Sequence, residues 1–175
     1  VRKASCDTVN LTTTNKVHKR RIPFILSVKI QGIKDVTIKG VNVKFTDTCE
    51  AYKEDFFEWT AFPVVTEFET NKIMAGVLQG LHHTPNFTAI EYHGNAEQVY
   101  FTEGTALMLC IDIADGKPAM DTAQIVRIPA GTQLDIAAGK GHFVAVAEGD
   151  TFKAIVVSPV QEAPRMDLAE EVIGE

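Results

Sequence analysis

From residue 72 onward, short apolar-rich segments recur about every ten residues with turn-forming residues between them. That spacing confines the chain to an all-β sandwich or barrel. The segments are K-I-M-A-G-V-L-Q-G (72–80), N-F-T-A-I-E-Y-H (86–93), E-Q-V-Y-F-T (97–102) and T-A-L-M-L-C-I-D-I (105–113). They continue with A-Q-I-V-R-I-P (123–129), H-F-V-A-V (142–146) and T-F-K-A-I-V-V-S (151–158). Turns such as His93-Gly94-Asn95, Asp115-Gly116-Lys117-Pro118 and Gly139-Lys140-Gly141 separate them. Upstream, V-T-I-K-G-V-N-V-K-F (36–45) alternates with a period of two and reads as a further strand. The stretch 46–55 fits one or two helical turns capped by Asp47 or Thr48, and 56–65 an irregular segment or edge strand. Only M-D-L-A-E-E-V (166–172) has helical character, as a short C-terminal helix.

Composition places this pattern in a foldable chain. Hydrophobic residues make up 45% and charged residues 23% of 175 residues, enough for one domain with a full core. No apolar run approaches the roughly 20 residues of a membrane-spanning helix, so no membrane association is expected. Charge divides the chain unevenly. Residues 1–45 carry ten Lys or Arg against two acids, and residues 46–175 carry seven against twenty-one. Residues 1–35, with Lys16, Lys19, Arg20 and Arg21, read as a basic N-terminal extension before a body spanning 36–175. A transit peptide or a nucleic-acid-binding arm also fits that charge. The cluster lacks interleaved aromatic residues, which weighs against nucleic acid as a partner.

Cys6, Cys49 and Cys110 form no C-x-x-C pair and suit a reducing, cytoplasmic setting. Cys110, inside an apolar run, reads as a small buried hydrophobe. Glu50, Glu54 and Asp55 read as a solvated face, His82 and His83 as an exposed turn, and Tyr92 and Trp59 as packing residues.

Two polar groups interrupt the β pattern. In E-Y-H-G-N-A-E-Q-V-Y (91–100), alternation puts Glu91 and His93 on one face, and the turn that follows brings Glu97 back toward His93. The second group is Gly139-Lys140-Gly141-His142.

The spacing His93-x3-Glu97-x6-Gly104 resembles the second half of the first cupin motif, and Pro129 and Gly131 resemble the start of the second. Glu91 and Leu134 stand where that superfamily usually carries His. The block 91–100 is also similar to a segment of the cupin-like ureidoglycolate lyase family, with Glu91, His93 and Gln98 in register. The resemblance implies a cupin-type double-stranded β-helix barrel, or jelly roll, followed by the short helix. It further implies a lyase that splits ureidoglycolate into glyoxylate and urea, and a homodimer through an exposed strand edge is expected.

On that reading His93, Glu97 and His142 are the catalytic residues, and Glu91, Gln98, Tyr100 and Lys140 bind substrate, Lys140 supplying the only fixed positive charge among them. His93, Glu97 and His142 also form a two-His, one-carboxylate set suited to one divalent metal ion (Ni, Mn, Fe or Zn). A metal-dependent isomerase or dioxygenase and a non-catalytic small-molecule-binding cupin remain open beside the lyase.

Overall fold

The computed structural model describes residues 24–61 and 64–175. The basic cluster Lys16, Lys19, Arg20 and Arg21, and Cys6, lie outside the described residues. The early strands are β1 (Ile25–Val28), β2 (Ile30–Gly32), β3 (Val41–Phe45), β4 (Ala51–Glu54), β5 (Phe57–Thr60) and β6 (Ile73–Leu81). Next come β7 (Asn86–Glu91), β8 (Glu97–Glu103), β9 (Thr105–Ala114), β10 (Lys117–Pro129) and β11 (Thr132–Ile136). The chain ends with β12 (Gly141–His142), β13 (Val146–Ala147), β14 (Thr151–Pro159) and β15 (Arg165–Gly174).

Two sheets face each other. One has the order β1-β15-β7-β12-β9-β10-β2, with β13 also on β9, and the other β3-β11-β8-β14-β6. Between β7 and β15 the chain passes repeatedly from one sheet to the other, the winding of a cupin-type double-stranded β-helix barrel. A separate hairpin, β4-β5, projects Tyr52, Phe56 and Trp59 into solvent, so Trp59 is not a packing residue.

The core explains why β9 reads as an unbroken apolar run. Ala106, Met108 and Cys110 face the cluster between the sheets, while Leu107, Leu109 and Ile111 face a second cluster on the opposite side. A strand buried on both faces loses its alternation. Phe101 and Phe152 anchor the inter-sheet cluster with ring centroids 5.8 Å apart. A Cβ at Gly80 would overlap the Phe152 ring, so glycine is required where β6 crosses it.

Two expectations are corrected. The C-terminal helix is absent: residues 165–174 form β15, paired with β7 and β1, with Val172 fully buried opposite Phe87. Its Leu, Ala and Glu residues favour a helix locally, and burial between two strands overrides that preference. Between 46 and 55, only Thr46–Thr48 turns as a 3-10 helix without a side-chain cap, and 51–54 is strand. β1 and β2 pair in parallel with β15 and β10, so residues 25–32 belong to the barrel.

Among the described residues no helix is long and apolar enough to cross a membrane.

Candidate functional site

β7 ends at Glu91, two residues before His93, and β8 begins at Glu97. β12 is only two residues long and lies between β7 and β9, with His142 in register opposite both Glu91 and Cys110. Cross-strand partners share a face, so His142 and Glu91 point to the same side as the inward-facing Cys110. Gly141 makes this insertion possible. A Cβ there would lie 2.8 Å from Ile90 Cδ1 and 3.0 Å from the Ile111 carbonyl oxygen.

Ligand atoms of Glu91, His93 and His142 all lie within 4.8 Å of one another. Glu97 Oε2 stands 3.5 Å from His142 Nε2 and 3.8 Å from His93 Nε2. The two imidazole rings sit 5.1 Å apart at their centroids. Their far nitrogens face the backbone: His142 Nδ1 is 3.1 Å from the Lys140 carbonyl, and His93 Nδ1 is 3.4 Å from the Glu162 carbonyl. A carbonyl accepts only, so each Nδ1 carries a proton, and each Nε2 is left turned toward the carboxylates. Both Nε2 atoms are buried and have no hydrogen-bond partner.

Burial alone would lower the His142 pKa. The Glu97 carboxylate oxygen 3.5 Å from Nε2, the Lys140 carbonyl and the negative charge of Glu91 outweigh it and hold the pKa above its ordinary value.

This donor set fits a divalent metal ion. Bonds of about 2.1 Å to tetrahedral ligands put those ligands about 3.4 Å apart, close to the separations around Glu97 Oε2. The backbone carbonyls behind the two rings fix their orientation as metal-site histidines require. Carboxylates and imidazoles without thiolates suit Zn, Mn, Fe or Ni.

The cavity in front of the cluster has a volume of about 160 Å³ and is lined by Glu91, Glu97 and His142 among mostly apolar side chains. From β8 it takes Glu97, Val99 and Phe101 but neither Gln98 nor Tyr100. A two-residue period sends the latter pair to the other face, which corrects their expected substrate-binding role. Lys140 also departs from expectation. Its ammonium is buried and donates a 2.6 Å hydrogen bond to Asp112 Oδ1, and it lines grooves outside the cavity. Asp112 is held below the usual carboxylate range, chiefly by that bond.

Leu134 is fully buried in the core. Cys110 is fully buried too, its thiol pushed up to about 12 by desolvation, and so is inert. His82 and His83 are exposed and take no part. Glu91, a substrate-binding residue on the family resemblance, lies with the two imidazoles, and its register opposite His142 carries no sequence signal. The apolar walls Leu78, Met108 and Phe143 were likewise not foreseen.

No protein-family profile matches the chain, and no curated protein matches it. Among solved structures the chain is similar to a single-substitution variant of Bacillus subtilis oxalate decarboxylase (16% identity, TM-score 0.41) and to that enzyme at pH 4.6 (17% identity, TM-score 0.40). Each alignment covers 55% of this chain and 24% of the other, so the chain spans about a quarter of the length of the structures it matches.

Proposed function

We propose that this protein is a metal-dependent cupin-type enzyme whose site lies inside the barrel. One divalent cation would be held by His93 and His142 with Glu91, Glu97 or both. The observation that carries this reading is the pair of buried, unpartnered Nε2 atoms aimed at carboxylates. A buried polar atom left unpaired is costly, so a site that keeps two of them is built for a ligand. The bound cation supplies Lewis acidity, polarising an oxygen of the substrate. Glu97, which reaches both imidazoles, is the group that accepts or returns a proton beside it. The apolar walls limit competing water.

Calorimetric titration with Zn, Mn, Ni and Fe(II) tests the reading. Stoichiometric binding is expected in the wild type, with a loss of 100-fold or more in His93→Ala and His142→Ala. Absence of binding in the wild type removes the proposal.

The second reading is a ureidoglycolate lyase. It is favoured by Glu91 and His93, which align with the family block and both belong to the imidazole cluster. With Lys140 committed to Asp112, the substrate carboxylate would have to be held by the cation alone. Release of glyoxylate from ureidoglycolate, abolished by chelator, is the expected result under this reading. Its absence from metal-loaded protein removes the lyase and leaves the metal site standing.

A further inference from the structure

The cavity in front of Glu97 has one polar end and otherwise apolar walls. Three of its twelve lining residues, Glu91, Glu97 and His142, are polar, and the other nine include Leu78, Val99, Met108 and Val156. Among the described residues no Lys or Arg lines it. Its volume of about 160 Å³ is close to the roughly 150 Å³ apolar cavity that accepts one benzene ring.

These features select against a small molecule that is polar throughout. Along the walls only Glu91, Glu97 and His142 can satisfy hydrogen bonds, so a second polar group set against the apolar wall would be left unpaired. Charge selects as well. The nearby carboxylates offset the charge of a divalent cation, and no Lys or Arg on the walls pairs with an anionic head.

We propose that the site takes a neutral molecule of about one six-membered ring carrying a hydroxyl head. The ring packs against Leu78, Val99, Met108 and Val156, and the hydroxyl donates to the Glu97 carboxylate beside the metal position. This inference rests on the metal-site reading above for its reacting end, and it replaces ureidoglycolate with a different substrate class.

The four methionines, Met74, Met108, Met120 and Met166, allow a direct test, because only Met108 lines the cavity. Full-length protein labelled at the methionine methyls is titrated by NMR with phenol, cyclohexanol, benzoate and glyoxylate, both zinc-loaded and after chelation. Met108→Leu assigns the cavity resonance. Phenol and cyclohexanol are expected to move the Met108 methyl saturably while the other three stay fixed. Benzoate and glyoxylate are expected to bind at least tenfold more weakly. A Met108 signal that neither alcohol moves overturns the inference, as does either anion binding within tenfold of phenol, or equal shifts at Met74 and Met166. Zinc calorimetry on the same sample separates the two claims. Zinc binding with an unmoved Met108 overturns the substrate class alone, and no zinc binding overturns the metal site whatever Met108 does.

Discussion

The backbone N–H of Gly139 donates a 2.8 Å hydrogen bond to the carbonyl oxygen of His93. The loop before β12 is thereby tied to the turn after β7, and the two imidazoles cannot move apart independently. The same loop is fixed from its other side by the Lys140 ammonium on Asp112, while the Lys140 carbonyl faces His142 Nδ1. The site is set by backbone contacts among segments far apart in sequence, which leaves the side-chain nitrogens turned inward.

Metal binding should appear as stability. A ligand held at 100 times its dissociation constant stabilises the folded state by about 2.7 kcal/mol. For a chain of this size that is a rise in Tm of roughly 5–10 °C. Thermal unfolding with and without zinc should show this rise in the wild type and little of it in His93→Ala or His142→Ala. An undiminished rise in both variants would place the metal elsewhere. Because the His142 pKa is raised, protons compete with the metal, and the zinc-induced rise should grow from pH 6 to pH 8.

Gly141 is a packing requirement for the site. A Cβ at this position would lie 2.8 Å from Ile90 Cδ1, 2.9 Å from Ile111 Cγ2 and 3.0 Å from the Ile111 carbonyl. Gly141→Ala should cost about 1–3 kcal/mol, the usual penalty for overpacking. Urea denaturation measures it. Zinc affinity should fall as well, because His142 is the next residue and shifts with its strand. Full stability together with unchanged zinc affinity would mean that β7 and β9 yield freely around β12.

What the sequence disclosed of this site follows from local periodicity. Glu91, His93 and Glu97 were legible because alternation and a short turn fix their mutual placement within seven residues. The same alternation, carried one step further along β8, turns Gln98 and Tyr100 away, and motif matching overrode it. β11 went unseen although Leu134 and Ile136 alternate with Gln133 and Asp135, because a run of five residues with only two apolar side chains is a weak local signal. The partnership of Lys140 with Asp112 spans 28 residues and leaves no local trace. For β15, helix-favouring residues pointed to the wrong element because pairing with β7 and β1 decides its conformation.

The Asp112–Lys140 pair should give the protein an acid-side weakness. Asp112 is held below its ordinary value of 3.8, chiefly by the Lys140 hydrogen bond, and the exposed Lys39 adds little. A depressed carboxylate pKa stabilises the folded state above the unfolded value and loses that contribution as pH falls through the folded value. Asp112→Asn should therefore cost about 1.5 kcal/mol at pH 7, the low end for a hydrogen bond to a charged group because Asp112 is partly exposed. The gap from wild type should narrow as pH drops below 4. Urea midpoints at pH 7 and pH 3 check this, and an equal gap at both pH values would rule out the ion pair as its source.

Leu134 occupies the position where the cupin motif usually carries a histidine, so its substitution separates motif from geometry. It is fully buried and stands in register with Val99 and Val43, two residues along β11 from Ile136, which faces Glu97. Leu134→Ala should cost about 2–5 kcal/mol, as expected for a fully buried leucine. Leu134→His should destabilise as well, because its ring nitrogens would enter an apolar cluster containing Phe101, Phe152 and Ile128. If Glu91 has taken over the missing ligand position, Leu134→His gains no zinc affinity and Glu91→Gln loses it. Calorimetry on the two variants decides between these roles. A tenfold gain in zinc affinity for Leu134→His, with no loss for Glu91→Gln, would return the ligand position to residue 134.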